Sequence, residues 1–575
     1  MSDNDRSFMR ALCMGTIDAD LVLPFPELDA DERETLSAVV DLIDDLLGDR
    51  DDDFRRWDEE GELPAEVLEE LKQTGLFSLI IPEEHGGLGF GPTAYSRTLQ
   101  QVARHDASVA VTIGAHSSIG MRGLLLFGTP EQQARWLPAL ATGELVAAFC
   151  LTEPGAGSDA ASLKTTAVPD GDDWILNGSK LWITNGGIAQ FFTVFARTGP
   201  AEGRGRLSAF VVTHDMDGVS IGGHEDKLGL RASSTTSVYL DNVRVPADHL
   251  LGERDKGFKV AMAILNSGRT GLGGGAVGAM KGLIERATKQ AKGREQFGRA
   301  ISEFGLVQKK LGHMVVETYA AESVVNVVNG LIERGDCEYA VEAAISKIYV
   351  SEALWVCADE ALQIAGGNGY MREYPYERIL RDCRINRIFE GTNEVLRLFV
   401  ALTAMNDVGA QLKDVSASVK GIFDDPIKGF GVLSDYARRR AAIATGVRST
   451  AFPGLRPELG ATGEAFVEAT RKLATATDRL LRKHGRGIIG KQFASKRLSD
   501  IMMDLFVLAS VMSRVNTALE QGPAERELEI LHVFSRQALR RIEGNFARID
   551  DNEDESIKSL AVHALEQEDF AWDNI

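Results

Sequence analysis

The chain has 575 residues, 44% of them hydrophobic and 26% charged, the balance of an ordinary globular protein too long for one core, so two to four domains are expected. Its net charge of −21 opposes a nucleic-acid footprint, which needs a basic face. No uninterrupted apolar run reaches the ~18 residues of a membrane span, and the five cysteines (Cys13, Cys150, Cys337, Cys357, Cys383) show no CxxC or paired-histidine spacing, so neither a disulfide frame nor a metal site is indicated.

The N-terminus MSDNDRSFMR lacks the basic segment and apolar core of a signal peptide, so the expectation is a reduced, cytoplasmic protein. Residues 1–30 read as an extension. From 31 to 145 the pattern is helical: Leu36, Val39, Val40, Leu42, Ile43, Leu46 and Leu47 make one apolar face, and Pro64 opens another helix in its first turn. A Gly-rich loop, Glu84 to Pro92, interrupts them. Residues 146–250 change character. Trp174-Ile-Leu and Lys180-Leu-Trp-Ile-Thr flank Asn177-Gly178, a strong hairpin signal, and Leu207–His214 and Thr236–Val245 are rich in β-branched residues, which predicts a small antiparallel β domain. Residues 251–406 return to the helical period, as a bundle of four or five helices. Residues 407–462 read as a linker with short helices, and 463–575 as a further helical domain. The fold class expected is mainly α with a central antiparallel β domain.

The chemistry is expected at Asn386–Ala401, NRIFEGTNEVLRLFVA. Val395, Leu396, Leu398, Phe399 and Leu402 form a helical stripe, with Thr392 or Asn393 as its N-cap. Glu390 therefore stands just before a helix, beside the pliable Gly391, where a carboxylate can lean into a cavity as a base. An isolated Glu-Gly pair is more often a solvated loop, and it is the company of other segments that favours the base.

Three such segments stand out. In Phe149-Cys-Leu-Thr-Glu-Pro-Gly-Ala-Gly-Ser158, Pro154, Gly155 and Gly157 make a turn without bulky side chains, exposing backbone N–H groups and the hydroxyls of Thr152 and Ser158; Trp182, Ile183 and Thr184 add a flat wall and a hydrogen-bonding group. Gly293-Arg-Glu-Gln-Phe-Gly-Arg299 offers a guanidinium beside an aromatic, suited to a diphosphate with a planar base, although a helix cap with an exposed arginine fits it equally well. Gln363-Ile-Ala-Gly-Gly-Asn-Gly-Tyr370 is a helix end opening into a Gly-rich loop, or a simple C-cap. Gly273-Gly-Gly-Ala-Val-Gly278 matches GxGxxG but follows a helix rather than a strand, so its glycines are read as helix packing and a nicotinamide dehydrogenase is disfavoured.

The order of TEPGAGSDA, KLWITNGG, REQFG, QIAGGNGY and YPYERILRDCRINRIFEGTNE resembles the acyl-CoA dehydrogenase family over residues 60–405. The helical domain after residue 460, LNSGR at 265–269 and RLFVAL at 397–402 look most like its very-long-chain branch. The resemblance implies an N-terminal helical domain, a middle β domain and a four-helix bundle with FAD between the last two, plus the extra C-terminal domain. It implies that Phe149, Leu151, Thr152, Trp182, Ile183 and Thr184 lie at the flavin ring, and Gly157 and Ser158 near the flavin phosphates and the substrate's pantetheine arm. Arg294, Gln296, Phe297, Gln363, Gly366 and Gly367 would reach the FAD of a neighbouring subunit, hence a homodimer, and Thr392 and Glu394 would close over the cofactor. Asn266 and Arg269 would hold the CoA side of the substrate, with Glu390 and Gly391 at the thioester. Gly305 departs from the glutamine many members carry there.

The activity so implied is FAD-dependent α,β-dehydrogenation of a long-chain acyl-CoA, the first step of β-oxidation, with Glu390 taking the α-proton and flavin N5 the β-hydride. Some branches place the base beside the arginine matching Arg269, but here that neighbour is Gly268. Small residues at Ile113–Ser118, at the expected pocket bottom, favour a long acyl chain. Electron-transferring flavoprotein is the expected acceptor. An acyl-CoA oxidase and a scaffold protein on the same fold are the alternatives. Ile427, Phe430, Val432 and Leu433 beside Arg438–Arg440 suggest either a weak peripheral membrane contact or a solvated linker helix.

Overall fold

The structure is a computed structural model that describes residues 6–199, 206–410, 412–413, 451–570 and 572. The segment expected to touch a membrane, Ile427 to Arg440, and most of the expected linker lie outside the described residues. The chain divides into two compact units, one of residues 25–395 and one of residues 6–24 with 396–575.

The first unit opens with helices α2 (Ala30–Leu47), α3 (Asp51–Glu60), α4 (Ala65–Gln73), α5 (Pro92–His105), α6 (Ala107–Gly114), α7 (Arg122–Phe127) and α8 (Pro130–Ala141), which follow the short α1 (Phe8–Cys13). Their ends are marked by local chemistry. Asp29 caps α2 by accepting from Glu32 N, and Thr129 and Gln132 form a capping box at α8, with Pro130 in its first turn. Their apolar faces meet in one core around Ile43, Trp57, Leu71, Phe77, Leu99 and Val102. Between α6 and α7 the backbone widens into a π-helical turn, Ala115–Gly120. Ala107–Phe127 is the stretch among the described residues long and apolar enough to span a membrane, and most of it is buried inside the fold.

Eight strands follow: β1 (Ala147–Cys150), β2 (Thr166–Asp170), β3 (Asp173–Thr184), β4 (Phe191–Arg197), β5 (Leu207–Thr213), β6 (Val219–Ile221), β7 (Thr235–Val245) and β8 (Leu250–Leu251). They form a sheet in the order β6-β7-β3-β2-β4-β5-β8 with β1 on β4. The expected all-antiparallel sheet is corrected at two places: β1 runs parallel to β4, and β2 meets β4 in parallel at Thr166 and Arg197. The expected hairpin at Asn177-Gly178 is also corrected. The β2–β3 turn lies earlier, with Asp170 opposite Asp173 and Gly171 at φ +65° between them. Asn177 and Gly178 sit inside the 12-residue β3 at a register shift against β7. Thr165 occupies the space a Cβ at Gly178 would need, so this glycine serves close packing rather than a turn.

The bundle consists of α9 (Gly257–Gly293), α10 (Gly305–Arg334) and α11 (Ala340–Ala365), followed by α12 (Gly367–Tyr370), α13 (Tyr376–Cys383) and α14 (Asn393–Ala404). The 37-residue α9 runs unbroken through Gly273–Gly278. A Cβ at Gly274 or Gly278 would run into the backbone carbonyls of Ser96 and Gln100, so these glycines seat α5 directly on α9, as their reading as packing residues expects.

The second unit packs the long helices Gly460–His484, Gln492–Gln521 and Glu525–Asp550. Residues 6–24 belong to this unit: Phe8 sits between Phe466 and Phe506, its ring centroid 6.5 and 5.9 Å from theirs, and Arg10 pairs with Asp407 at 2.6 Å. Arg397 meets Asp500 at 2.7 Å. A terminal helix that sequence reasoning missed, Asp554–Gln567, buries none of its residues.

Candidate active site

Glu390 occupies the turn between the 3₁₀ segment Arg384–Arg387 and α14, at φ +55°, followed by Gly391 at φ +94°. A positive φ is uncommon for a residue with a side chain, and three side chains hold the turn in place. Thr392 Oγ1 accepts from Val395 N at 3.3 Å, which makes Thr392 the cap of α14. Arg269 donates to the Glu390 carbonyl at 3.5 Å and to Asn266 Oδ1 at 2.6 Å. Lys347, fully buried on α11, donates to Gly391 O at 2.8 Å and to Asn393 Oδ1 at 2.9 Å, while Asn393 Nδ2 donates to Ser351 Oγ at 3.0 Å. Arg269 and Asn266 thus brace the turn of the expected base.

The Glu390 carboxylate has a buried oxygen, Oε2, without a hydrogen-bond partner. Burial pushes its pKa up, and the charges of Arg269 and Lys347 hold the rise back. Burial brings the Lys347 ammonium down to about 8 against the pull of Glu390. A desolvated carboxylate with an unpartnered oxygen and a raised pKa is a stronger base than a water-exposed one.

The loop after β1 is fixed from below by a second buried cation. Lys180 Nζ donates to Glu153 Oε1 at 2.7 Å, Phe195 O at 2.8 Å and Leu151 O at 3.3 Å. Glu153 in turn accepts from Thr165 N at 3.0 Å and Thr165 Oγ1 at 2.5 Å. Leu181 N donates to Thr152 O at 2.9 Å, so loop and strand share an edge. Trp182 falls in the register shift between Lys180 and Ile183, at φ +56°, which throws its indole outward to 62% exposure. Thr152 and Thr184 are half-buried beside it, Ser158 and Gly157 are exposed, and a Cβ at Gly155 or Gly157 would meet nothing. Leu151 and Ile183 point into the cores and Phe149 packs its ring on Phe195 at 5.2 Å, so these three present mainly backbone to any ligand.

Arg294, Gln296 and Phe297 form a small hairpin, Glu295–Gln296 against Arg299–Ala300, with Phe297 at its tip and 94% exposed. Gln363, Gly366 (φ +61°) and Gly367 are exposed at the end of α11. Lys310 near the start of α10 pairs with Glu360 near the end of α11, which puts hairpin and loop at one end of the bundle. Lys347 and Gln363 lie on the same helix, roughly 24 Å apart at 1.5 Å per residue. Within one chain the structure therefore gathers Glu390, Gly391, Thr392, Asn266 and Arg269, and sets the six residues of hairpin and loop well apart from them. Glu394 is exposed in the first turn of α14. Lys347, Lys180 and Glu153 escaped the sequence reading; the available signal for Lys347 was a lone lysine inside an apolar helical stretch, AAISKIYV.

An exposed indole, hydroxyls, a side-chain-free turn and open backbone N–H groups fit a planar group with a polar edge and a phosphate tail. Comparison with known proteins agrees with this donor set. Residues 30–144, 148–243 and 255–405 match the N-terminal, middle and C-terminal domains of acyl-CoA dehydrogenase, and 457–570 match the ACAD9/ACADV C-terminal domain. The chain is 42% identical over 562 residues to the human very long-chain specific acyl-CoA dehydrogenase, mitochondrial, covering 95% of this chain and 85% of the relative. It is 34% identical to the probable acyl-CoA dehydrogenase FadE10 of Mycobacterium bovis, covering 98% and 89%. A Bacillus anthracis acyl-CoA dehydrogenase complexed with FAD superposes with a TM-score of 0.80 at 31% identity, covering 94% of this chain and 91% of that one. The cytoplasmic location expected from the N-terminus is corrected by these matches, since the mammalian relatives are named as mitochondrial proteins. On this evidence the chain belongs to the acyl-CoA dehydrogenase family and is an FAD-dependent oxidoreductase of fatty acyl-CoA.

Proposed function

We propose that the protein converts long-chain acyl-CoA to the trans-2-enoyl-CoA, with Glu390 as the base that takes the α-proton. The observation that carries this reading is the buried, unpartnered Glu390 Oε2, on a turn that Arg269 and Lys347 immobilise. A base held before the substrate arrives gains its rate from position as well as from basicity. Glu390 and Gly391 would meet the thioester. Thr152, Trp182 and Thr184 would hold the flavin ring, Thr392 and Glu394 would cover it, and Gly157 and Ser158 would face the phosphates and the pantetheine arm. When bound, FAD supplies the two-electron acceptor for the β-hydrogen.

The distance between Lys347 and Gln363 supports a homodimer, because Arg294, Gln296, Phe297, Gln363, Gly366 and Gly367 are too remote to serve the flavin beside their own Glu390. They would serve the partner's. Electron-transferring flavoprotein is the proposed acceptor.

The test is the visible spectrum of the purified protein, followed anaerobically while palmitoyl-CoA is added. A yellow protein that bleaches, beside a Glu390→Gln protein that stays yellow, is the expected result. Bleaching by Glu390→Gln at the parent rate would remove Glu390 from the chemistry. A protein indifferent to every acyl-CoA would favour a scaffold, and rapid recolouring in air without an added acceptor would favour an oxidase.

A further inference from the structure

The terminal helix Asp554–Gln567 is held to its unit at its start. Arg497, on the helix Gln492–Gln521, donates to both Asp554 oxygens at 2.7 and 2.5 Å, and Lys558 Nζ lies 5.7 Å over the ring of Phe493. None of the helix is buried. Ile557, Leu560, Ala561, Ala564 and Leu565 recur at the three- and four-residue steps of one helical face, and its three large members are 50, 56 and 76% exposed. Phe570, just past the helix end, is exposed as well. An apolar stripe left open to water in this way marks a contact with another molecule.

Charge selects the partner. Residues 553–570 carry six acids and one lysine, which opposes an anionic lipid surface, because interfacial helices carry lysine and arginine on their polar face. A cationic protein surface suits the helix instead, and in a chain of net charge −21 the second unit holds one. Residues 479–497 carry seven cations and no acid. Arg479, Arg482, Lys496 and Arg497 pair with Asp550, Asp478, Asp500 and Asp554, whereas Lys483, Arg486 and Lys491 form no ion pair among the described residues. These three surround the turn Gly485–Gly490, where burial, Lys483 and Lys491 together hold the His484 pKa below its ordinary value. Lys491 also stands close enough to the start of the terminal helix to act, with Lys558, on Glu555. At the far end of that helix Glu566 and Glu568 form no ion pair among the described residues. The helix therefore begins among unpaired cations and ends in unpaired acids, with the apolar stripe between them.

We propose that the terminal helix docks a second copy of this chain, the two helices lying antiparallel about a two-fold axis near Ala561. Ile557 would then meet the partner's Leu565, and the small Ala561 and Ala564 would let the two backbones approach. Glu566 and Glu568 would lie beside the partner's Lys491 and the partner's Lys558, and the opposed helix dipoles favour the same direction. A parallel pair would set acid against acid. Two helices of about 21 Å bury less than the roughly 1,200 Å² of a stable stand-alone interface, so the pairing adds to other contacts between copies. It uses none of the residues of the flavin-sharing dimer proposed above.

The experiment uses the full chain. All five native cysteines are buried, so an introduced surface cysteine is the one that a short bismaleimide reaches. Ala561→Cys, at the axis, is expected to link two copies, and Ser559→Cys, on the opposite side of the same helix, to do so at least about tenfold more slowly. Leu565→Glu added to Ala561→Cys should slow the reaction by more than about tenfold, since a two-fold contact loses the leucine twice. Lys491→Glu should slow it about two- to tenfold, and adding Glu566→Lys and Glu568→Lys to Lys491→Glu should restore it. All the substituted positions are exposed, so circular dichroism should match the parent's. Equal rates for the two cysteines would overturn the pairing, as would no link at either when both react with a monofunctional maleimide. Flotation with vesicles of phosphatidylglycerol and phosphatidylcholine, lost on Leu565→Glu, would overturn it in favour of a lipid surface.

Discussion

Replacing Lys347 by methionine separates the two tasks this buried cation performs. The substitution removes the donors to Gly391 O and Asn393 Oδ1; Asn393 Oδ1 keeps Ser351 Oγ at 3.4 Å, and the Gly391 carbonyl is left without its donor at about 1–3 kcal/mol. It also removes a charge whose desolvation lowers its pKa from 10.5 to about 8, which at 1.36 kcal/mol per unit is about 3 kcal/mol of penalty relieved. The terms oppose each other and are of similar size, so the variant is expected to fold and to keep its flavin, within about 3 kcal/mol of the parent by denaturant titration. Catalysis should respond differently. As the proposed base Glu390 would work as the anion, so kcat/KM is expected to fall as pH drops through the pKa of Glu390 in the free enzyme. Burial raises that pKa and Lys347 holds it down; without Lys347 it rises further, by about one unit for a neighbouring charge. The acid limb of kcat/KM should therefore move about one unit to higher pH, with rates about tenfold lower below it and equal to the parent's above it. Lys347→Arg, which keeps the charge, should return the limb toward its original position. A loss of rate equal at every pH, or an acid limb that does not move, would refute the electrostatic role and leave Lys347 as a brace only.

Three further outcomes follow from packing and charge elsewhere. Gly278→Ala forces a Cβ against the Gln100 carbonyl and should destabilise by about 1–3 kcal/mol, whereas Gly275→Ala, whose Cβ would sit 3.7 Å from that of Ala103, should be neutral or stabilising; equal denaturation midpoints for the two would contradict the seating of α5 on α9. Burial pushes the Asp382 carboxyl from 3.8 up to about 7, against the pull of Arg378. The folded state thus holds a proton that the unfolded chain releases, and the contribution is complete below about pH 4 and lost as pH rises toward about 7. Asp382→Asn should flatten that decline in stability, and a slope identical to the parent's would count against it. Phe297→Ala removes an exposed hairpin tip, so helical content by circular dichroism should be unchanged while flavin dissociates more readily on gel filtration. Parent-level flavin retention would argue against contact with a partner's cofactor.

The sequence disclosed most where a local pattern and its structural cause coincide. The apolar stripes of α9, α10 and α11 needed only helical periodicity, and Glu390 was visible because the cap of α14 and Gly391 bracket it. The glycines of α9 could be assigned to packing because a helix precedes them. Asn177-Gly178 misled for the opposite reason: the pair is a turn signal read over two residues, and what decides its conformation is Thr165 arriving from a different part of the chain. The parallel pairing of β1 with β4 spans over 40 residues of sequence and leaves no trace in either strand's alternation.

The residues that sequence reasoning missed share one physical character. Lys347 and Lys180 are fully buried cations, and each finds its partners through groups brought from elsewhere. Lys347 bonds to a carbonyl 44 positions away, and Lys180 to a carboxylate 27 away on the preceding loop. Such a residue reads in sequence as a charge to be placed on the solvated face of its helix or strand, yet the Lys347 and Lys180 side chains are fully buried. A long charged side chain with no solvated face to occupy must be paired inside or aimed at a ligand. For Lys347 and Lys180 the pairing is made inside, and they fix the turn of the proposed base and the loop after β1.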